Sequence, residues 1–178
     1  ADDLWRRFER IEQLLVERGF MDGWSLTARG ATLRSIFHES DVLVAECVGE
    51  GLFDGLDERE ISALASCFVH EDRPGRTESA VSAPTRRLAT RISSLRRSAR
   101  DLGRHQRRLG LPEVRIPSPS VVAHVYEWSR GDALADVLCS DDVAAGDFVR
   151  VLKQTADLLR QVATVASHPD TARVATRA

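Results

Sequence analysis

The stretch DVAAGDFVRVLKQTADLLRQ, residues 142–161, decides the fold of this chain because its apolar residues recur every three or four positions. At 3.6 residues per turn, that spacing places them on one face of an α-helix. The face comprises Phe148, Leu152, Thr155, Leu159 and Val162, flanked by Val149 and Ala156. Asp147 lies just before the apolar run, where a carboxylate can cap a helix and complement its dipole. The pattern predicts an amphipathic helix with one face in a core.

The opposite face of this helix is polar and carries Arg150, Lys153, Gln154, Asp157, Arg160 and Gln161. Side chains three and four positions apart can form ion pairs on a solvated surface. The same groups can also hydrogen-bond the bases and phosphates of a single strand that crosses the helix. Periodicity alone is compatible with both interpretations.

A second long helix is predicted to open near Pro84, with leucines and alanines inside and arginines outside. Residues 86–108 contain nine arginines and a single acid, Asp101, so the rest of the chain has a balance of −10 within a net charge of −2. The candidates for binding or docking on this helix are Arg96, Arg97, Arg100, Arg104 and Arg107. So many guanidiniums with few internal partners suit a phosphate backbone. Alternatively, they cover acidic surfaces of their own protein.

The remaining patterns predict an all-α helical bundle with a small winged-helix-like or helix-turn-helix N-terminal portion. Further helices are expected over 4–18, 28–37, 41–48, 58–69, 121–130 and 133–138, with Trp24 to Thr27 extended. Asp57 and Glu60 form a capping-box pattern, and Asp132 is expected to cap the 133–138 helix. We assign residues 1–38 to a helix-turn-helix lead-in and 39–178 to the bundle, with a mobile loop at 71–83.

Composition and motifs exclude several function classes. No apolar run approaches the length of a membrane span, and the N-terminus is acidic, so we expect a cytoplasmic protein without membrane contact. Three widely spaced cysteines, Cys47, Cys67 and Cys139, are typical of reduced core thiols. The chain has no phosphate-binding glycine loop, nucleophile elbow or paired-cysteine zinc pattern, and its five histidines are scattered. We therefore assign no catalytic residue, metal or cofactor to it.

Several segments, in this order, resemble the DSHCT domain, the C-terminal helical domain of Ski2-like, exosome-assisting RNA helicases. Their arginine-rich character is similar to that of the actinobacterial HelY-like branch. The segments are LTARG (26–30), ESDVLVAE (39–46), GLF (51–53), LASCFV (64–69), VYEWSRG (125–131), DVAAGDFVR (142–150) and DLLRQ (157–161).

The resemblance implies a bundle that lies across two ATPase lobes and forms one wall of an RNA channel. Arg150, Gln154 and Asp157 match a ratchet-like helix that contacts the unwound strand, and Lys153 and Arg160 extend that set. ATP and Mg would belong to the parent, an ATP-dependent DExH-type RNA helicase. The implied partners are single-stranded RNA, with DNA as an alternative, the parent's own ATPase lobes, and RNA-degrading nucleases. The rival interpretation is a protein-interaction module that docks an acidic partner through its arginine-rich helix.

Overall fold

The computed structural model of the protein describes residues 2–72, 83–138 and 143–178. Within these ranges it is the predicted all-α bundle, with strand only in one small hairpin. The elements are α1 Asp2–Glu17, β1 Met21–Asp22, β2 Ser25–Leu26, α2 Ala28–Leu33, α3 Asp41–Gly49, α4 Glu58–Val69, α5 Arg86–Arg108, α6 Val122–Arg130, α7 Leu134–Val137, α8 Ala145–Val165 and α9 Pro169–Arg177.

Helix α4 lies at the centre of the bundle. Its residues from Glu60 to Phe68 are all buried, and α5, α6, α8 and α9 pack around it. The predicted capping box is present: the Asp57 carboxylate accepts from the amides of Arg59 and Glu60, and Glu60 accepts from the Asp57 amide. Because this start is fixed locally, the sequence alone determines where the central helix begins.

Helix α1 is attached to the bundle mainly through polar contacts at its C-terminal end. Arg18 donates two hydrogen bonds to the buried Glu46 carboxylate of α3, at 2.7 and 2.8 Å, and one to Asp101 of α5 at 2.8 Å. The His105 ring lies 2.5 Å from the Glu17 carboxylate. Leu14 is buried, whereas the apolar side chains of Leu4 and Phe8 on the same helix are exposed. The side of α1 that carries Leu4 and Phe8 is therefore not part of the core in the described structure.

Trp5, Phe8 and Trp24 form a stacked aromatic ladder on the exposed side of α1 and the hairpin. The Trp5 and Phe8 ring centroids are 5.6 Å apart, and those of Phe8 and Trp24 are 6.5 Å apart. The hairpin that carries Trp24 pairs Met21 with Leu26.

The ends of two helices show how closely the sequence predicts helix boundaries. Helix α2 ends at Leu33 instead of continuing to Phe37, because the chain turns there to bury Ile36. Helix α5 begins at Arg86, close to Pro84 as predicted, and the Thr85 hydroxyl caps it by accepting from the Leu88 amide.

The expected Asp132 cap is wrong as well. Ala133 occupies the N-cap of α7, and Asp132 instead pairs with the guanidinium of Arg130. Gly131 ends α6 in the left-handed conformation, with φ of 99°, as its position in the sequence predicts.

Helix α8 is amphipathic as predicted, but its buried face is rotated relative to the expected stripe. Val151 and Leu158 are buried, whereas Val149 is exposed and Leu152 is only half-buried. The reason is that α8 packs on α4 and α9 along one side, while Phe148 and Val151 enter a second apolar cluster. Asp147 is not the N-cap residue, which is Ala144, but lies in the first turn and pairs with Arg150 at 3.4 Å.

Some predictions fall outside the described residues. Cys139, Asp142 and most of the 71–83 segment belong to these, so the mobile-loop prediction stays a prediction. Cys47 and Cys67 are buried free thiols, and burial raises the pKa of Cys67 to about 12. None of the described helices combines the length and apolarity that crossing a membrane would require.

Candidate nucleic-acid interface

The polar face of α8 lines an open groove of about 820 Å³, which we call the α8 groove. Its opposite wall is formed by residues 37–39, before α3, and by residues 69–72, at the end of α4. The α8 residues in the lining include Asp147, Arg150, Lys153, Gln154, Asp157 and Gln161. The helical repeat thus places one row of polar side chains along the length of the groove.

Four of the five α8 residues predicted to contact a strand lie together in this groove, namely Arg150, Lys153, Gln154 and Asp157. All four are exposed. Arg160 is not part of the lining, and its guanidinium lies 3.9 Å from the carboxylate of Asp157, which is part of it. Residues 150, 154, 157 and 161 recur every three or four positions on the lining face, and position 160 lies to the side of that row. Strand contact by Arg160 stays a prediction.

Among the described residues of the α8 groove, carboxylates outnumber cations. The acidic lining residues are Glu39, Glu71, Asp72, Asp147 and Asp157, and the basic ones are Arg150 and Lys153. Arg115, behind the wall, partly compensates this charge by pairing with Glu39 at 2.8 Å and Glu71 at 3.6 Å. A phosphate group would meet repulsion from most of this surface, whereas hydrogen-bond donors on bases and ribose would find acceptors.

Phe37 and His38 line the groove although sequence reasoning did not identify them. The Phe37 side chain is 80% exposed, and its backbone amide donates to the Gln161 carboxamide oxygen at 2.6 Å. Burial lowers the pKa of His38, and its Nδ1 accepts a 3.0 Å hydrogen bond from the Ser40 amide. The protonated ring cannot accept that bond, so His38 is a neutral member of the wall.

The arginines of α5 form a separate surface, since none of them lines the α8 groove. The expectation that they have few internal partners is wrong for part of the helix. Arg87 donates to the Gly55 carbonyl at 2.6 Å and pairs with Glu60 at 3.3 Å. Arg91 donates to the carbonyls of residues 51 and 54, at 3.3 and 2.9 Å. These two guanidiniums fasten α5 to the loop before α4.

The five candidate arginines on α5 differ in how much of their charge is available. Arg96 is half-buried, and Arg104 pairs with Asp101 at 3.0 Å. Arg107 donates two hydrogen bonds to Glu113, at 2.7 and 2.6 Å, and thereby lowers the pKa of that carboxyl. Arg97 and Arg100 are exposed, and neither has an acidic partner within the described part of the chain. Of the five candidates, Arg97 and Arg100 are therefore the two whose positive charge is most available to a ligand.

No three His, Cys, Asp or Glu side chains within residues 2–72, 83–138 and 143–178 are grouped as ligands for a metal ion. The described residues offer a polar groove and a basic helix as candidate binding surfaces. The groups exposed there are hydrogen-bond donors, hydrogen-bond acceptors and charges.

The described part of the chain is thus a helical-bundle domain with a polar groove along one long helix. The family model of the DSHCT (NUC185) domain matches residues 23–178 of this chain. The chain belongs to that family, whose members are C-terminal accessory domains of helicases.

The relatives are considerably longer proteins. The probable helicase HelY of Mycobacterium tuberculosis is 36% identical over 192 residues, which cover 100% of this chain and 21% of that protein. The probable helicase HelY of Mycobacterium leprae is also 36% identical, over 193 residues with the same coverage. The exosome RNA helicase MTR4 of mouse is 26% identical over 143 residues, 78% of this chain and 13% of that protein. The chain thus spans about a fifth of the length of the mycobacterial relatives.

Proposed function

We propose that this domain serves an ATP-dependent, Ski2-like RNA helicase by forming part of the path of the unwound single strand. The observation that supports the proposal is the α8 groove, which gathers four of the predicted strand-contacting side chains on one wall. ATP and Mg would be bound by the ATPase lobes of the longer protein, and ribonucleases would act on the strand that it releases.

The charge of the groove indicates which part of the strand faces it. Asp147 and Asp157 on α8 oppose close approach of phosphates, while Gln154 can both donate to and accept from a base edge. Carboxylate oxygens accept from the ribose 2′-hydroxyl, a donor that DNA lacks. In this proposal the bases and riboses touch α8, and the phosphates face away from it.

The exposed face of α1 fits the proposal of a longer parent. The aromatic ladder and the neighbouring Leu4 form an apolar surface that water would otherwise cover. We assign this surface to packing against the parent's ATPase lobes. The α5 arginines Arg97 and Arg100 would then remain available to phosphates of the strand at a second position.

The first prediction concerns strand contact in the groove. We expect the double variant Arg150→Ala with Asp157→Ala, made in the full-length helicase, to weaken RNA affinity and slow unwinding by about tenfold or more, since one lost charged hydrogen bond corresponds to roughly 1.5–3 kcal/mol. The measurements are strand-displacement kinetics and fluorescence anisotropy with labelled single-stranded RNA. The matched control is Arg160→Ala, which alters the same helix outside the groove. Equal unwinding and affinity for the double variant and wild type would contradict the proposal.

The same anisotropy assay discriminates the rival function, a protein-interaction module docking an acidic partner through α5. If Arg97 and Arg100 contact phosphates, changing both to Gln should flatten the slope of log affinity against log salt by up to about 1.4–1.8. Arg107→Gln is the control because Glu113 already neutralises that guanidinium. An unchanged slope for the double variant would favour protein docking by α5.

A further inference from the structure

We infer that Phe37 is a base-stacking platform at the edge of the α8 groove, positioned there by Gln161. The inference rests on the proposed function, because it names a further binding residue for the same strand. It starts from an aromatic ring that is 80% exposed although the chain buries four other phenylalanines almost completely. An exposed aromatic ring beside a polar groove suits a ligand that has a flat, apolar surface.

The backbone around Phe37 is fixed on both sides. Ile36 is buried in the main core, and His38 accepts the Ser40 amide, so neither neighbour can move without losing contacts. The Phe37 amide itself donates to Gln161 at 2.6 Å, across 124 residues of sequence. The ring therefore projects from an ordered segment and needs little further ordering to bind.

Gln161 connects Phe37 to the residues predicted to contact the strand. Its carboxamide nitrogen donates to the Asp157 carboxylate at 3.1 Å, while its oxygen holds the Phe37 amide. One side chain thus sets the position of Phe37 relative to the polar row of α8. Gln161 is a positioning residue in this arrangement, and Phe37 is the residue that touches the base.

The chemistry of the groove selects a nucleobase as the occupant. Among the residues described for this groove, Phe37 is the single Phe, Tyr or Trp in the lining, and most of its charged neighbours are carboxylates. Phosphates are repelled there, whereas every base has a π-face that can stack on a ring and an edge that can donate to carboxylates. Stacking on an aromatic side chain does not depend on salt in the way that phosphate contacts do.

The test uses this chain and a single-stranded oligoribonucleotide that contains 2-aminopurine, whose fluorescence falls when the base stacks. We expect Phe37→Leu to weaken binding by about tenfold while leaving the salt slope unchanged. Phe37→Trp should retain both affinity and quenching. Trp24→Leu is the matched control, because Trp24 is 78% exposed but lies on the aromatic ladder. It should bind as wild type does.

Gln161→Ala tests the positioning role. We expect it to reduce the 2-aminopurine quenching while Phe37 is still present, an effect that loss of stability alone would not produce at temperatures where the variant is folded by circular dichroism. Unchanged quenching in this variant would overturn the role of Gln161.

The outcomes separate this inference from the proposed function. If Arg150→Ala weakens binding but Phe37→Leu does not, the stacking platform is wrong and the groove remains the strand path. If neither Arg150→Ala nor Phe37→Leu changes binding of the probe, in this chain or in the full-length helicase, both the stacking platform and the proposed strand path are wrong. Weaker binding by Phe37→Leu with a flatter salt slope would also overturn the inference, because that result indicates a lost phosphate contact.

Discussion

At the scale of a single residue, Gly30 lies where the structure has no room for a side chain. A Cβ atom placed on Gly30 would lie 2.1 Å from the Phe20 carbonyl oxygen, far inside van der Waals contact. Thr27 caps α2 by accepting the Gly30 amide at 3.1 Å and donates to the Gly19 carbonyl at 2.7 Å. Arg29 lies over the Phe20 ring, 5.2 Å from its centroid. Each polar residue of this segment ties α2 to the end of α1.

We therefore expect Gly30→Ala to lower the free energy of unfolding by about 2 kcal/mol, because the backbone at residue 20 has to move to admit the methyl group. Urea denaturation followed by circular dichroism measures the change. Gly146→Ala, in the first turn of α8, is the control: its Cβ would meet nothing within 4 Å. It should be neutral or stabilising by up to about 1 kcal/mol. Equal effects of the two variants would contradict this account of Gly30.

At the same scale, Gln161 and Phe37 differ in how well the sequence predicts their positions. Gln161 was placed on the polar face of α8 by periodicity alone, and the structure confirms that position. Phe37 was expected to end a helix and gave no other signal. Its exposure follows from the early end of α2 and from a hydrogen bond to a residue 124 positions away, which no local pattern encodes.

At the scale of elements, the starts of α4 and α5 are joined through one buried carboxylate. Glu60, 3% exposed, accepts from the Thr85 hydroxyl at 2.7 Å and from Arg87 at 3.3 Å, besides closing the capping box. The Thr85 hydroxyl also accepts the Leu88 amide at 3.0 Å and so caps α5. The Thr85 hydroxyl thus accepts an amide hydrogen bond in the first turn of α5 and donates a hydrogen bond to the carboxylate at the start of α4.

We expect Thr85→Ala to destabilise the protein by about 1–2 kcal/mol, since it removes an N-cap and leaves Glu60 short of a donor. Thr85→Ser should recover most of this loss because it keeps the hydroxyl. Thr90→Ala is the control on the same helix: the exposed Thr90 hydroxyl bonds only the Arg86 carbonyl, and alanine favours helix. Chemical denaturation of the three variants gives the comparison, and a loss for Thr90→Ala equal to that for Thr85→Ala would contradict the network.

At the scale of the whole molecule, the described residues of the bundle form two apolar clusters of unequal size. The main cluster surrounds α4, and the smaller one consists of Val121, Val125, Val137, Phe148 and Val151. The smaller cluster holds α6, α7 and the first half of α8 together. It therefore supports the part of α8 that presents Arg150, Lys153 and Gln154 to the groove.

We predict that Phe148→Ala costs about 3–5 kcal/mol and loosens the groove wall before it loosens the main core. Native-state hydrogen exchange should show lost protection in α7 and the first half of α8, with smaller changes in α3 and α4. Val149→Ala is the control because this neighbouring side chain is exposed; it should stay within about 0.5 kcal/mol of wild type. A uniform loss of protection along the chain would show that the two clusters unfold as one.

The sequence by itself determined most of the helices, the capping box of α4 and the family. Apolar spacing located α4, α5, α6 and α8, the Asp57–Glu60 pair marked the start of the central helix, and ordered short motifs identified the DSHCT family. These properties depend on residues within a few positions of one another, where helical geometry relates sequence directly to space.

Only the tertiary structure decided which surfaces exist. It brought Phe37 beside Gln161, left the aromatic ladder of α1 uncovered, and paired Arg87, Arg91, Arg104 and Arg107 internally while Arg97 and Arg100 remained available. It also fixed the orientation of α8, which places Arg150 in the lining of the groove and Arg160 outside it. The physical reason is that these outcomes depend on contacts between residues distant in sequence, and such contacts are set by packing of whole helices instead of by local propensity.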